Sequence, residues 1–208
     1  MKKLFIGVYN PSIILTYIGM FSSIYGIGSL MNSDLTNSMD PIIVPMILLI
    51  LAGVCDMFDG RVARACKRTE KEAEFGIQLD SLADTVSFVV YPAIILMYAT
   101  DFSLPGIIIA MFYSFAGVMR LGWFNITTEE NKGFYMGLPV TFSALLIPVF
   151  FLLFRILNVS PSPAALYVFW LAIGIAFISN FKLKKPGLKF SLAMLLTAII
   201  AIMGYLFI

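Results

Sequence analysis

Seven apolar stretches occupy most of the chain, at about 12–31, 41–58, 77–100, 104–123, 139–157, 163–181 and 188–207. A helix needs about 20 apolar residues to cross the hydrocarbon of a bilayer, and each stretch is close to that length. Few folds can hold so much apolar sequence in water. Of 208 residues, 60% are hydrophobic and 12% charged, against about 25% charged in a soluble domain. A soluble globular domain, a disordered chain and a disulfide-bonded secreted scaffold are excluded. The short alternating segments of a membrane barrel are absent. The expected fold is an all-α integral membrane protein forming one multi-pass transmembrane domain over 1–208. Six helices make the core, and the last stretch adds a seventh span at its periphery.

Charge placement orients the bundle. Lys2 and Lys3 lead into a short Leu4–Val8 patch and then Asn10-Pro11. No cleavable signal pattern follows, so residues 1–11 read as an interfacial segment. The connection around 32–40 carries Asp34 and Asp40 and no basic residue, whereas the next holds Arg61, Arg64, Lys67, Arg68 and Lys71. Asp101 stands alone at the third connection. Arg120 and Lys132 mark the fourth, and Lys182, Lys184, Lys185 and Lys189 mark the last basic one. Basic connections face the cytoplasm, which places the N-terminus there; only Arg155 departs from the alternation. No nucleic-acid partner is expected. The chain has no histidine, which removes Ser–His hydrolysis, a His-ligated zinc site and a histidine phospho-relay. Cys55 and Cys66 form no C-x-x-C pair and read as reduced, non-catalytic thiols.

Four aspartates lie where a membrane span should have none. Asp56 and Asp59 are spaced i, i+3 at the cytoplasmic end of the second stretch, and Asp80 and Asp84 are i, i+4 in the third. Each pair shares one helical face, and a hairpin in the 20-residue connection between them brings the faces together. Intramembrane carboxylates are functional by default. Four converging in a low dielectric repel unless cations neutralise them. An all-oxygen ligand set suits Mg²⁺ or Mn²⁺, with Ca²⁺ an alternative, and four carboxylates can hold two ions. The plainer reading is a solvated rim paired with Arg61, Arg64, Arg68 or Lys71. Gly60, Ala63 and Gly76 extend the carboxylate faces with small residues that admit a bulky ligand. Arg64 continues the stripe with a fork of donors for phosphate. The combination describes a pyrophosphate site.

Asp56-x-x-Asp59-Gly60-x-x-Ala63-Arg64 followed by Gly76-x-x-x-Asp80-x-x-x-Asp84 resembles the signature of the CDP-alcohol phosphotransferase family. Eleven residues separate Arg64 from Gly76, three more than in the signature's common form. Asp80-Ser-Leu-Ala-Asp84-Thr-Val-Ser-Phe88, Tyr91-Pro92-Ala93, Arg120-Leu-Gly-Trp-Phe124-Asn125 and Gly137-Leu-Pro-Val-Thr141 resemble the phosphatidylserine synthase branch of that family. The resemblance runs over about residues 10–150.

It implies a helix bundle that transfers the phosphatidyl group of CDP-diacylglycerol to L-serine and releases CMP at the cytoplasmic face. It also implies two divalent cations, Mg²⁺ or Mn²⁺, and a homodimer. By the same resemblance Asp56, Asp59, Asp80 and Asp84 are the metal ligands and Asp84 is the general base. Gly60, Ala63, Arg64 and Gly76 then surround the cytidine diphosphate. A serine carboxylate needs a cation, for which Arg120 is the candidate, with Asn125 as a polar contact; the alternative for Arg120 is an anchor snorkelling to the headgroups. Asn10 and Thr16 are considered for nucleotide contact, against helix capping and back-bonding. Tyr, Trp and Phe residues near the span ends read as interfacial belt and packing. A sibling enzyme using glycerol 3-phosphate or inositol phosphate is the runner-up, and it asks for more cations around one pocket. A divalent-cation transporter is the competing class, but its site belongs at the bilayer midplane between repeats, and here the carboxylates sit at one edge.

Overall fold

The computed structural model describes residues 7–32, 40–127, 133–184 and 187–207. Of the interfacial segment expected at 1–11, only residues 7–11 are therefore described, and Lys132 lies outside the described residues.

The described residues form seven helices, one for each apolar stretch. They are α1 (Ile14–Met31, entered through a 3₁₀ turn at Pro11–Ile13), α2 (Ile43–Ala65), α3 (Glu70–Ala99), α4 (Leu104–Thr127), α5 (Ser143–Ile156), α6 (Pro163–Ile178) and α7 (Leu188–Phe207). Five of them, α1 to α4 and α7, are long and apolar enough to cross a membrane. α1 lies along α2, α4 packs on α6, and α5 and α7 pack on the other side of α2.

The second and third helices outrun their apolar stretches. The expected 20-residue connection shrinks to four residues, 66–69, because both helices continue into charged sequence. Thr69 caps α3 by accepting from the Glu72 backbone N–H, and Glu72 accepts in return from the Thr69 N–H. This reciprocal cap fixes the start of α3. Glu70 and Glu72 in its first turn and Arg64 in the last turn of α2 suit the helix dipoles. Asn10 donates to the Lys67 carbonyl at 3.3 Å, tying the N-terminal segment to this turn.

A π-helical segment, Thr85–Val90, interrupts α3 directly after Asp84. Pro92 has no N–H to offer the Phe88 carbonyl one turn back. Tyr113 of α4 donates to that carbonyl at 2.9 Å and Ser143 of α5 at 3.3 Å. Other buried aromatic tips also meet carbonyls: Tyr91 that of Pro45, Trp170 that of Pro92, and Tyr205 that of Pro148. These four aromatics are core residues rather than interfacial belt, because a backbone carbonyl in hydrocarbon needs a donor.

Two features depart from the all-helical expectation of a peripheral last span. Phe134–Met136 (β1) pairs antiparallel with Lys182–Lys184 (β2), joining the connections after α4 and α6 into a short ribbon. Gly137 anchors it. Its N–H donates to the Phe181 carbonyl at 2.9 Å, its φ is +68°, and an added Cβ would lie 2.5 Å from the Phe177 carbonyl oxygen. The last helix, α7, contributes to the core as well: it packs on α2 and α5 and buries Ala198, Ala201 and Tyr205, while most of its surface stays exposed. Arg155 has its explanation as well, in an ion pair with Asp40 at 3.1 Å.

Candidate active site

Two helices bring the carboxylates together. α2 supplies Asp56 and Asp59, and α3 supplies Asp80 and Asp84. One oxygen each from Asp56, Asp80 and Asp84 lies within 4.8 Å of the others. Two oxygens bound to one hard cation at about 2.0–2.4 Å are no farther apart than that, so the trio fits a shared divalent ion. Asp59, only 9% exposed, stands beside the trio: it faces Asp80 and accepts a hydrogen bond from Thr16 Oγ1 of α1 at 3.2 Å. Asp56 faces Asp84 in the same way. Among the described residues, no lysine or arginine forms an ion pair with any of the four. The rim of salt bridges considered from sequence is therefore not what these side chains make, and their charge calls for a cation.

The carboxylates line a cavity of about 420 Å³. Gly60, Arg61 and Arg64 border it on the α2 side, and Arg120, Phe124 and Tyr135 border it on another. Its remaining wall is mostly apolar, with Ile50 and Val54 of α2, Ala144 and Leu145 of α5, and Leu195 and Ala198 of α7. The site thus joins a dense acidic pole, three guanidinium groups and a hydrocarbon slot in one space. Such a space suits a ligand with a phosphate-rich head and an apolar tail.

Arg120 projects from α4 into this cavity and is 7% exposed. Its guanidinium carbon lies 4.9 Å from the Phe124 ring centroid and 5.8 Å from that of Tyr135. Its Nε has no hydrogen-bond partner among the described residues. A desolvated guanidinium resting against two adjoining aromatic rings, whose centroids are 5.8 Å apart, with a donor left over, is poised for an anion. It does not snorkel away to the headgroups. Tyr135 reaches it only because the ribbon folds over the cavity, and burial raises this phenol's pKa above its ordinary value, with Arg120 opposing.

The other residues singled out from sequence separate into two groups. Gly60 and Arg64 line the cavity; Arg64 Nη1 lies 3.4 Å from the position of a Cβ on Gly60. Ala63 and Gly76 do not line it, and Gly76 lies against the Arg68 guanidinium, 3.7 Å from its Cβ position. Asn125 is exposed on the far side of α4, where its amide exchanges hydrogen bonds with Ser81 of α3 at 2.9 and 3.1 Å. It joins two helices instead of facing the cavity. Asn10 caps the first turn through Ser12. Tyr135 and Ser191 line the cavity without having been singled out, since nothing in local spacing shows that a ribbon and a last helix close over it; Thr141, which closes the Gly137–Thr141 motif, lines it too.

A family model described as CDP-alcohol phosphatidyltransferase matches residues 9–179. The archaetidylserine synthase of Methanothermobacter thermautotrophicus is 39% identical over 107 residues, 51% of this chain and 45% of that protein. The CDP-diacylglycerol–serine O-phosphatidyltransferase of Helicobacter pylori is 30% identical over 148 residues, 68% of this chain and 60% of its own. The protein of the same name from Bacillus subtilis is 31% identical over 146 residues, 69% of this chain and 75% of its own. The aligned part spans about half to three fifths of the first two relatives. The family match takes in all four aspartates, Arg120 and the ribbon's first strand. On that match the chain belongs to the CDP-alcohol phosphatidyltransferase family.

Proposed function

We propose that the protein transfers the phosphatidyl group of CDP-diacylglycerol to L-serine, yielding phosphatidylserine and CMP, at the cytoplasmic face of a membrane. The observation that carries this reading is the single cavity in which Asp56, Asp59, Asp80 and Asp84 meet Arg64, Arg120 and an apolar wall. Each part answers one part of the substrates. The apolar wall takes the lipid, and Arg64 beside Gly60 takes a phosphate of the nucleotide. Asp56, Asp80 and Asp84 would share one divalent cation, Mg²⁺ or Mn²⁺, and Asp59 beside Asp80 would help hold a second. When bound, the ions neutralise the pyrophosphate and stabilise charge developing on the leaving CMP.

Asp84 accepts the proton of the serine hydroxyl. The serine oxygen forms its bond to the lipid-side phosphorus as the pyrophosphate bond to CMP breaks, and CMP leaves with the electron pair. Arg120 receives the serine carboxylate through parallel hydrogen bonds, which keeps an anion from approaching the aspartates uncompensated. The names of the Helicobacter pylori and Bacillus subtilis relatives support serine as the acceptor. Arg61 also borders the cavity, and this third guanidinium is what favours the sibling reading with a phosphorylated acceptor. The cytoplasmic placement is supported by Arg61, Arg64, Lys67 and Arg68 at the carboxylate end of the bundle. Family resemblance supports a homodimer.

The deciding experiment gives purified protein CDP-diacylglycerol, Mn²⁺ or Mg²⁺ and one alcohol at a time, and follows CMP. Release with L-serine and not with glycerol 3-phosphate or inositol phosphate is the expected result. Release only with a phosphorylated alcohol selects the sibling, and divalent-ion flux into proteoliposomes without CMP release removes the enzyme class.

A further inference from the structure

The cavity that the carboxylates line also carries two hydroxyls, Thr141 in the turn before α5 and Ser191 on α7. Their depth follows from the helix contacts. A Cβ added at Gly53 would fall 2.6 Å from that of Ala144, so α2 and α5 touch there. Three residues toward the basic end from that contact lie Asp56 on one chain segment and Thr141 on the other. The rings of Phe142 and Phe190 pack at 6.2 Å, which sets Ser191 beside Thr141. Both hydroxyls therefore line the cavity near the depth of the carboxylates.

Neither hydroxyl has a hydrogen-bond partner among the described residues, and Ser191 is only 8% exposed. Helical hydroxyls here commonly donate to the carbonyl one turn back, as Ser22, Thr100 and Thr197 do. Thr197 is on the same helix as Ser191. The Ser191 hydroxyl instead opens into the cavity, where it is free to donate to a bound ligand.

A lipid whose phosphate lies at the carboxylates has its glycerol only a few bonds farther on. The first strong acceptors beyond that point are the carbonyl oxygens of the two acyl esters. An ether-linked chain offers a weaker oxygen at the same place and no carbonyl. We propose that Ser191 and Thr141 donate to the ester carbonyls of the bound lipid and set a preference for ester-linked over ether-linked substrate. This rests on the lipid-substrate reading of the cavity given above and extends it to the linkage. A site built around donors rejects an analogue lacking the acceptor, because its own buried groups are then left unpaired. Ser191 also lies beyond the stretch matched by the family model, which ends at residue 179. The linkage is thus read in part by a helix outside the shared catalytic segment.

The test measures CMP release by the purified full chain, at saturating L-serine, from CDP-diacylglycerol and from its dialkyl ether analogue of equal chain length. The intact protein is expected to favour the ester by about tenfold in kcat/KM, and Ser191→Ala to shrink that ratio by about fivefold, the effect of one hydrogen bond. Thr141→Val shifts it the same way. The ratio is independent of how much protein folds, so a merely structural role leaves it unmoved. Equal use of the two lipids by the intact protein overturns the proposal, as does a Ser191→Ala variant that slows both alike. Failure to release CMP from either lipid with any alcohol overturns instead the function on which it rests.

Discussion

The hydroxyl of Thr16 on α1 donates to Asp59 Oδ2 on α2 at 3.2 Å. It holds the one signature carboxylate that stands outside the tight trio, and it does so from a helix that carries no signature residue. A hydrogen bond to a charged acceptor is worth about 1.5–3 kcal/mol. Thr16→Val is expected to raise the Mn²⁺ concentration for half-maximal CMP release by about tenfold or more. A metal titration of the variant checks this, and an unchanged midpoint removes Thr16 from the site.

Chelation is expected to abolish CMP release, and added Mn²⁺ or Mg²⁺ to restore it. Asp56→Asn and Asp80→Asn each remove a ligand oxygen from the trio and should lower kcat by about a hundredfold or more. Activity that survives exhaustive chelation sinks the metal assignment.

Asp84 is given a second task, as proton acceptor. Asp84→Asn is expected to lower kcat by about 10²- to 10⁴-fold, with a far smaller change in KM for CDP-diacylglycerol. The direct displacement predicts sequential kinetics. Ping-pong patterns, or a phosphatidylated enzyme trapped in the absence of serine, contradict it.

Arg120→Lys keeps the charge but loses the fork of donors and the flat group that meets Phe124 and Tyr135. KM for serine is expected to rise by about tenfold, corresponding to about 1.4 kcal/mol, while KM for CDP-diacylglycerol stays nearly constant. A parallel rise in both constants assigns Arg120 to the nucleotide or to the scaffold.

The Phe88 carbonyl gives a prediction about stability alone. Tyr113→Phe removes its shorter donor and should cost about 1 kcal/mol, because Ser143 still reaches it. Tyr113→Phe combined with Ser143→Ala leaves a buried carbonyl without either donor, and should cost more than the two single changes together. Thermal unfolding in detergent, compared across the three variants, measures the difference.

Much of this was legible in the sequence. Spans are long apolar runs, and the 3.6-residue period places Asp56 with Asp59 and Asp80 with Asp84 on shared faces whatever the rest of the chain does. Arg120 was visible as a cation among few. What escaped depends on contacts between distant segments. Apolar content ends the second span near 58, but Thr69 and Glu72 cap a helix that starts at Glu70 and so draws the two charged tails into a tight hairpin. The ribbon pairs residues 50 apart in sequence, Phe134 with Lys184, and neither strand is long enough to show a period. The last helix looks peripheral because its Ser191 and Ala198 gain meaning only against α2 and α5. Asn125 follows a motif onto the wrong side of α4, where Ser81 holds it.

Val140–Ile156 and Pro163–Ile178 are the short members of the bundle. At 1.5 Å per residue they reach about 26 and 24 Å, less than the hydrocarbon thickness of about 30 Å. A bilayer beside a short span thins to meet it. A leaflet crossed by them would be drawn inward along this flank, while beside α4, with 24 residues, it need not be. Val140–Ile156 is also the flank that supplies Thr141, Ala144 and Leu145 to the cavity. A headgroup resting there would begin nearer the depth of the aspartates than one elsewhere in the leaflet, so mismatch at this flank would shorten the climb of a lipid into the site.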